Sequence, residues 1–227
     1  MDTNEPTNED VANSIVKGVL GAIPIVGALA TELFGLIVVP PLEKRRVEWM
    51  NEIASRLKTL EDKNLITVEN LKNNEQFIDT ILQATTYVLK TSEKEKIIAF
   101  QNALLNTALP EAPEKTKSQI FLNQLDSFTD WHIRILKFID YPKEWFKNSN
   151  LSLPVFVSGS TKSVIFTAFP ILKTQGALLD PIWRDLVNAN FVDDDRLQGN
   201  VSSDSALARR TTPFGREFIE FITSRSI

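Results

Sequence analysis

One stretch near the start of the chain restricts its fold more than any other. From Gly18 to Leu42, in GVLGAIPIVGALATELFGLIVVPPL, 25 consecutive residues carry a single charge, Glu32. A segment that apolar must be enclosed by protein, inserted into lipid or covered by a partner. Its length suffices for a membrane-spanning helix, which needs about 20 apolar residues. Gly27, Thr31 and Gly35 recur at four-residue steps, so a helix here carries small side chains along one stripe and admits a second helix closely. Lys44, Arg45 and Arg46 follow, the basic flank that stays cytoplasmic when such a segment inserts. Against insertion stand Pro24, Pro40 and Pro41, which leave an unbroken helix of about sixteen residues. Glu32 in its middle costs about 2–3 kcal/mol on insertion scales. Three readings stay open: a buried helix of a soluble core, conditional membrane insertion, or a surface for a protein partner or a second copy. The side chains that would make membrane or partner contact are Ile23, Ile25, Gly27, Leu29, Thr31, Leu33, Phe34, Gly35 and Ile37.

Downstream, apolar residues return at helical spacing. Val47, Met50, Ile53, Ala54, Leu57 and Leu60 form one face of a helix over 42–61, with Lys44, Glu48, Glu52, Arg56 and Lys58 on the other. Trp49 sits on that helix and reads as packing more readily than as an interfacial anchor. Thr67 opens a short helix, and Phe77, Ile78, Ile81, Leu82, Val88 and Leu89 mark a long one ending near Thr91 and Ser92. Ser92 caps a third, carrying Ile97, Ile98, Leu104 and Leu105 and stopping before Pro110; a further helix follows over 113–125.

Beyond Asp126 the order of elements changes. Thr129 caps a helix through Trp131, Ile135, Leu136 and Ile139, Ser160 opens one with its apolar residues from Val164 to Leu172, and Asp180-Pro181 forms a cap-and-first-turn start for another through Leu186. Then come Phe191-Val192, a polar tip DDDRLQGNVSSDS, a segment from Ala206 to Thr211, and a last helix from Thr212-Pro213. Three helices, two short strands around a polar loop and a packing helix resemble a winged helix-turn-helix. The expected class is therefore mainly α: residues 1–40 an acidic tail plus the apolar Gly-rich helical segment, 41–128 an amphipathic helical bundle, and 129–227 a small winged-helix-like α+β domain.

Function classes are bounded by what the chain lacks. The formal charge is −4, with 29 acids against 25 bases, so no global attraction to phosphate backbones exists and a nucleic-acid partner is not expected. Between Ala177 and Gln198, Asp180, Asp185, Asp193, Asp194 and Asp195 outnumber Arg184 and Arg196, which repels phosphates. Arg209, Arg210 and Arg216 are the local basic cluster left as a basic contact. There is no cysteine, hence no disulfide, thiolate or Cys-ligated zinc. The first ten residues hold Asp2, Glu5, Glu9 and Asp10 and no base, so no cleaved export signal is expected and the cytoplasm is the expected compartment, with peripheral or conditional association with the inner membrane. His132, the sole histidine, stands in TDWHIR with no motif that brings it a nucleophile, and Asp193-Asp194-Asp195 reads as a solvated acidic turn. No catalytic, metal or cofactor site is expected.

The phrases GAIPIVGALATELF, PPLEKRRVEWMNEIA, EKEKIIAFQNALLNTALPEAPE, FLNQLDSFTDWHIRILKFID and RRTTPFGREFIEFI, in that order, resemble a bacterial helical family of uncharacterised role. In layout the chain is also similar to the abortive-infection alpha proteins of phage resistance, through the NALLNTA segment and the following TDWHIRIL helix. The resemblance implies a phage-defence setting and supplies no site residues. The expectation is a non-enzymatic accessory or effector protein that associates with a protein partner, a second copy or a membrane. The alternative is a soluble winged-helix regulator binding DNA or another protein.

Overall fold

At Thr67, Asn74, Ser160, Ser202 and Thr212 a side-chain oxygen accepts from the amide three residues on, and a helix begins behind it. The computed structural model describes residues 43–175, 177–193 and 197–225. The apolar stretch 18–42 and its contact residues from Ile23 to Ile37 lie outside the described residues, as do Asp194, Asp195 and Arg196. The chain divides into two compact units, one holding residues up to Ser92 together with Phe100–Leu122, the other Glu93–Ala99 together with Asn123–Ile227.

In the first unit, α1 (Glu43–Asp62), α2 (Val68–Lys72) and α3 (Glu75–Lys90) are followed by α4 (Lys94–Ala108) from Phe100 onward and by α5 (Lys115–Ser127) up to Leu122. Thr67 caps α2 by accepting from the Asn70 amide, and Asn74 caps α3 by accepting from Phe77. The expected stripe of α1 is the buried one: Trp49, Met50, Ile53, Ala54, Leu57 and Leu60 lie inside. Trp49 is 2% exposed. Its indole Nε1 donates to the Thr85 hydroxyl at 3.0 Å, so it packs in the core with its polar edge satisfied. Phe77, Ile81, Ala84, Phe100, Ala103, Leu104 and Phe121 complete that core. Polar fastenings sit at its rim: Gln83 and Gln119 exchange amide hydrogen bonds of 2.9 and 2.8 Å, and Lys115 pairs with Asp79 at 2.9 Å.

The second unit adds α6 (Asp130–Asp140), α7 (Pro142–Asn148), α8 (Thr161–Ala168), α9 (Pro170–Thr174), α10 (Leu179–Asn188), α11 (Ser203–Ala206) and α12 (Pro213–Phe221). Phe128, Phe191 and Phe218 form one aromatic centre, the last two stacked at 4.4 Å. Phe138, Trp145, Phe146 and Phe169 form another, in edge-on pairs.

Mainly α holds; the two wing strands do not. Among the described residues there is no strand, only the isolated antiparallel bridges Gly159 to Val201 and Val192 to Thr211. The second joins the two segments expected to pair, but the ladder cannot lengthen. Ser202 accepts from the Ser205 amide and starts the helical turn α11, while Val201 pairs elsewhere, with Gly159. Two helix boundaries also differ. The helix expected to reach Leu172 ends at Ala168, because Pro170 cannot continue it and instead opens α9. Asp180 does not cap α10, which begins one residue earlier, at Leu179; the Asp180 carboxylate takes the Lys162 ammonium at 2.6 Å instead.

Candidate functional site

The feature least explained by folding alone lies between α7 and α8. From Asn148 to Thr161, fourteen residues (NSNLSLPVFVSGST) carry no charge, bounded by Lys147 and Lys162. Its ends are pinned. Asn150 takes a left-handed φ of 53°, and the Leu151 amide donates back to Phe146 at 3.0 Å, which stops α7. At the other end Gly159 and Val201 exchange backbone hydrogen bonds of 3.0 and 2.8 Å. The Phe156 ring occupies the space a Gly159 side chain would need, 2.5 Å from where its Cβ would stand. Ser160 then caps α8, its hydroxyl accepting from Ser163.

Between those pins the side chains alternate. Leu151 and Leu153 are 47% and 44% exposed, Val155 and Val157 are 90% and 98% exposed, and the intervening Pro154 and Phe156 are half-buried. Burying one such aliphatic side chain is worth about 1.5–3 kcal/mol, so a row of them left in water by the unit's own fold is a surface with something to gain from a partner. No backbone hydrogen bond is made by residues 152–158 among the described residues. Sequence reasoning passes over this segment. The signal that marks it is apolar residues at every second position, interrupted by one proline and without charge, the pattern of an edge strand.

His132 is buried and tied at both ring nitrogens. The Thr129 amide donates to Nδ1 at 3.1 Å, with the Thr129 hydroxyl 2.9 Å from the same nitrogen. That leaves the proton on Nε2, which faces an Asp185 carboxylate oxygen at 3.3 Å. The ring stacks on Phe128 at 4.7 Å. Burial lowers its pKa, a drop that Asp185 offsets in part. The imidazole therefore serves as the reciprocal acceptor of the α6 cap and as an anchor for Asp185.

Two open clefts flank α10. One, of about 310 Å³, is lined by Gln124, Ser127, Phe128, Asp185, Asn188 and Ala189. Its one lining hydroxyl, Ser127, donates to the Gln124 carbonyl at 2.9 Å. The other, of about 680 Å³, is lined by Asp180, Trp183, Arg184, Val187, Asn188, Leu197, Gln198 and Gly199. Each brings one carboxylate to its wall, and each carboxylate is already engaged: Asp185 faces His132 Nε2 at 3.3 Å, and Asp180 pairs with the Lys162 ammonium at 2.6 Å. Among the described residues no three His, Asp or Glu side chains gather as metal ligands.

The expected basic cluster is largely engaged inside its own unit. Arg209 Nε donates to the Asp140 carbonyl at 3.0 Å and lies 3.2 Å from its carboxylate, and the guanidinium stacks on Tyr141 at 4.1 Å. Arg210 donates to the Ser205 carbonyl at 2.9 Å. Arg216 is half-buried on α12. No helix among the described residues is long and apolar enough to cross a membrane. No protein-family model, curated protein or solved structure matches the chain.

Proposed function

We propose that this chain is a non-enzymatic accessory or effector protein that acts by association, in the phage-defence setting that its abortive-infection resemblance implies. One observation carries the association: the uncharged row Leu151, Leu153, Val155 and Val157, held out in solvent by a segment pinned at both ends. The setting rests on the resemblance alone. The compartment is the cytoplasm or the inner face of the membrane. The contacts of Ile23 to Ile37 remain part of the reading as a second associating element.

The test is plaque protection in the native host, with the full chain compared against a Val155→Asp/Val157→Asp double variant. Both positions are exposed, so the variant folds, and an unchanged circular dichroism spectrum checks this. Protection is expected to fall with the double variant. A host that is protected equally by both chains, or by neither, removes the reading.

A further inference from the structure

We propose that residues 153–157 form a self-pairing edge, across which two copies of this chain join by antiparallel strand addition with Val155 opposite Val155. The inference rests on the association reading and names its partner. A second copy, another peptide and a lipid surface all compete for an exposed apolar row, and the backbone separates them. Residues 152–158 make no backbone hydrogen bonds among the described residues. Immersing such groups in hydrocarbon costs several kcal/mol each, whereas an added strand satisfies them. The base of the segment also lacks surplus positive charge for anionic headgroups. Lys143 is paired with Asp204 at 3.0 Å and Lys162 with Asp180 at 2.6 Å, and Glu144 is exposed on the same helix as Lys147.

The absence of charge then admits a second copy as the occupant. Two identical antiparallel strands meet about a two-fold axis, so any charge near that axis faces its own like. The fourteen uncharged residues from Asn148 to Thr161 meet the condition for such pairing. The register about Val155 also accommodates the proline. Val155 pairs with itself in the hydrogen-bonded position and Leu153 faces Val157. Pro154 falls opposite Phe156 in a non-hydrogen-bonded pair, where its missing N–H is not needed. A single strand pair buries less than the roughly 800 Å² per partner of stable interfaces, so this dimer is weak and forms with rising concentration.

The experiment uses the full chain, which has no cysteine of its own. Val155→Cys places two thiols across the axis, within the roughly 7 Å Cα separation a disulfide tolerates. Val157→Cys places them four residues apart along the strands, about 13 Å. Under mild oxidation Val155→Cys is expected to become a covalent dimer about tenfold faster or more than Val157→Cys. In sedimentation velocity the wild-type dimer fraction rises with concentration, Val155→Lys weakens association about tenfold or more, and an equimolar mixture of Val155→Lys and Val155→Glu restores it. Equal cross-linking at the two positions, or a wild-type chain monomeric at every concentration, overturns the self-pairing. A monomeric chain that floats with anionic vesicles and loses that on Val155→Lys overturns it in favour of lipid. If the chain stays monomeric while the Val155→Asp/Val157→Asp variant still loses phage protection, self-pairing falls and the association reading stands. If the chain dimerises as described while that variant protects fully, self-pairing stands and the functional reading falls.

Discussion

Replacing Gly215 with alanine sets two opposed terms against each other at one atom. Gly215 lies in the first turn of α12, and in a helix alanine is favoured over glycine by about 1 kcal/mol, so propensity alone predicts stabilisation. The geometry predicts the reverse. A Cβ at this position would stand 2.3 Å from the Phe191 carbonyl oxygen and 2.9 Å from its carbonyl carbon and Cα. These are backbone atoms, and they are held: the same carbonyl accepts from the Thr212 amide at 3.0 Å, and the Phe191 ring stacks on Phe218. To reach ordinary contact the helix must retreat by about 1 Å, which loosens that stack and lengthens the Thr212 hydrogen bond. Overpacking of this kind costs about 1–3 kcal/mol, and a weakened backbone hydrogen bond about 1 kcal/mol. The expected net is destabilisation of about 2 kcal/mol, or a fall of about 1 M in the urea midpoint. Tryptophan fluorescence reads it, since Trp131, Trp145 and Trp183 all belong to the same unit as Gly215. Arg216→Ala, one residue along, serves as the control and is expected to stay within about 0.5 kcal/mol. A midpoint for Gly215→Ala equal to or above wild type would refute the close approach as the reason for glycine.

Other perturbations follow from the same contacts. Asp140→Ala removes the buried carboxylate that accepts from Thr211 and meets Arg209, and should lower stability by about 2 kcal/mol in urea titration, with Asp140→Asn losing less. Trp49→Phe keeps the packing and deletes the donor to buried Thr85, an expected loss of about 1–2 kcal/mol; no loss would mean the hydroxyl is satisfied without the indole. His132, whose pKa burial holds below the ordinary 6.5, binds its proton more weakly folded than unfolded. Its contribution is therefore complete above that value and drains away as the pH falls below it. As the only histidine it gives one pair of imidazole C–H NMR signals, which should titrate below 6.5; titration at or above it contradicts the burial argument.

What was legible in the sequence is what short-range chemistry dictates. Thr67, Thr129, Ser160 and Thr212 each stand at the start of a helix as expected, because an N-cap needs only one side chain and an amide two or three residues on. The core stripe of α1 was readable for a similar reason, helical period being a local property. The wing strands were not, because whether Val192 extends its bridge to Thr211 depends on what Ser202 does ten residues away. Asp180-Pro181 misled because a carboxylate with a lysine in reach is worth more paired than capping, and Lys162 is eighteen residues distant in sequence. The candidate surface escaped notice on different grounds. Leu, Val and Phe at alternate positions look the same in sequence whether the row faces inward or outward, and exposure is decided only by what the rest of the unit covers.

The phrase RRTTPFGR shows how completely packing can account for a string of residues that looks like a nucleic-acid element. Arg209 holds Asp140, the Arg210 amide donates to the Ile139 carbonyl, and Thr211 donates to the Asp140 carboxylate. Thr212 caps α12 while donating to the Asn190 carbonyl, Pro213 supplies the first helical residue, Phe214 packs on Phe191, and Gly215 makes room for it. One residue of the eight, Arg216, has no such role here. A single arginine neutralising a single phosphate gives a slope near 0.9 in log affinity against log salt, against six to ten contacts for an ordinary DNA-binding module. Alanine at Arg209 should therefore be read out as lost stability, through Asp140, and Arg216→Ala should leave stability unchanged. A steep salt dependence of duplex binding, with a slope well above 1 and lost on Arg209→Ala in a chain that still unfolds at the wild-type urea midpoint, is the result that would return these arginines to a nucleic-acid role.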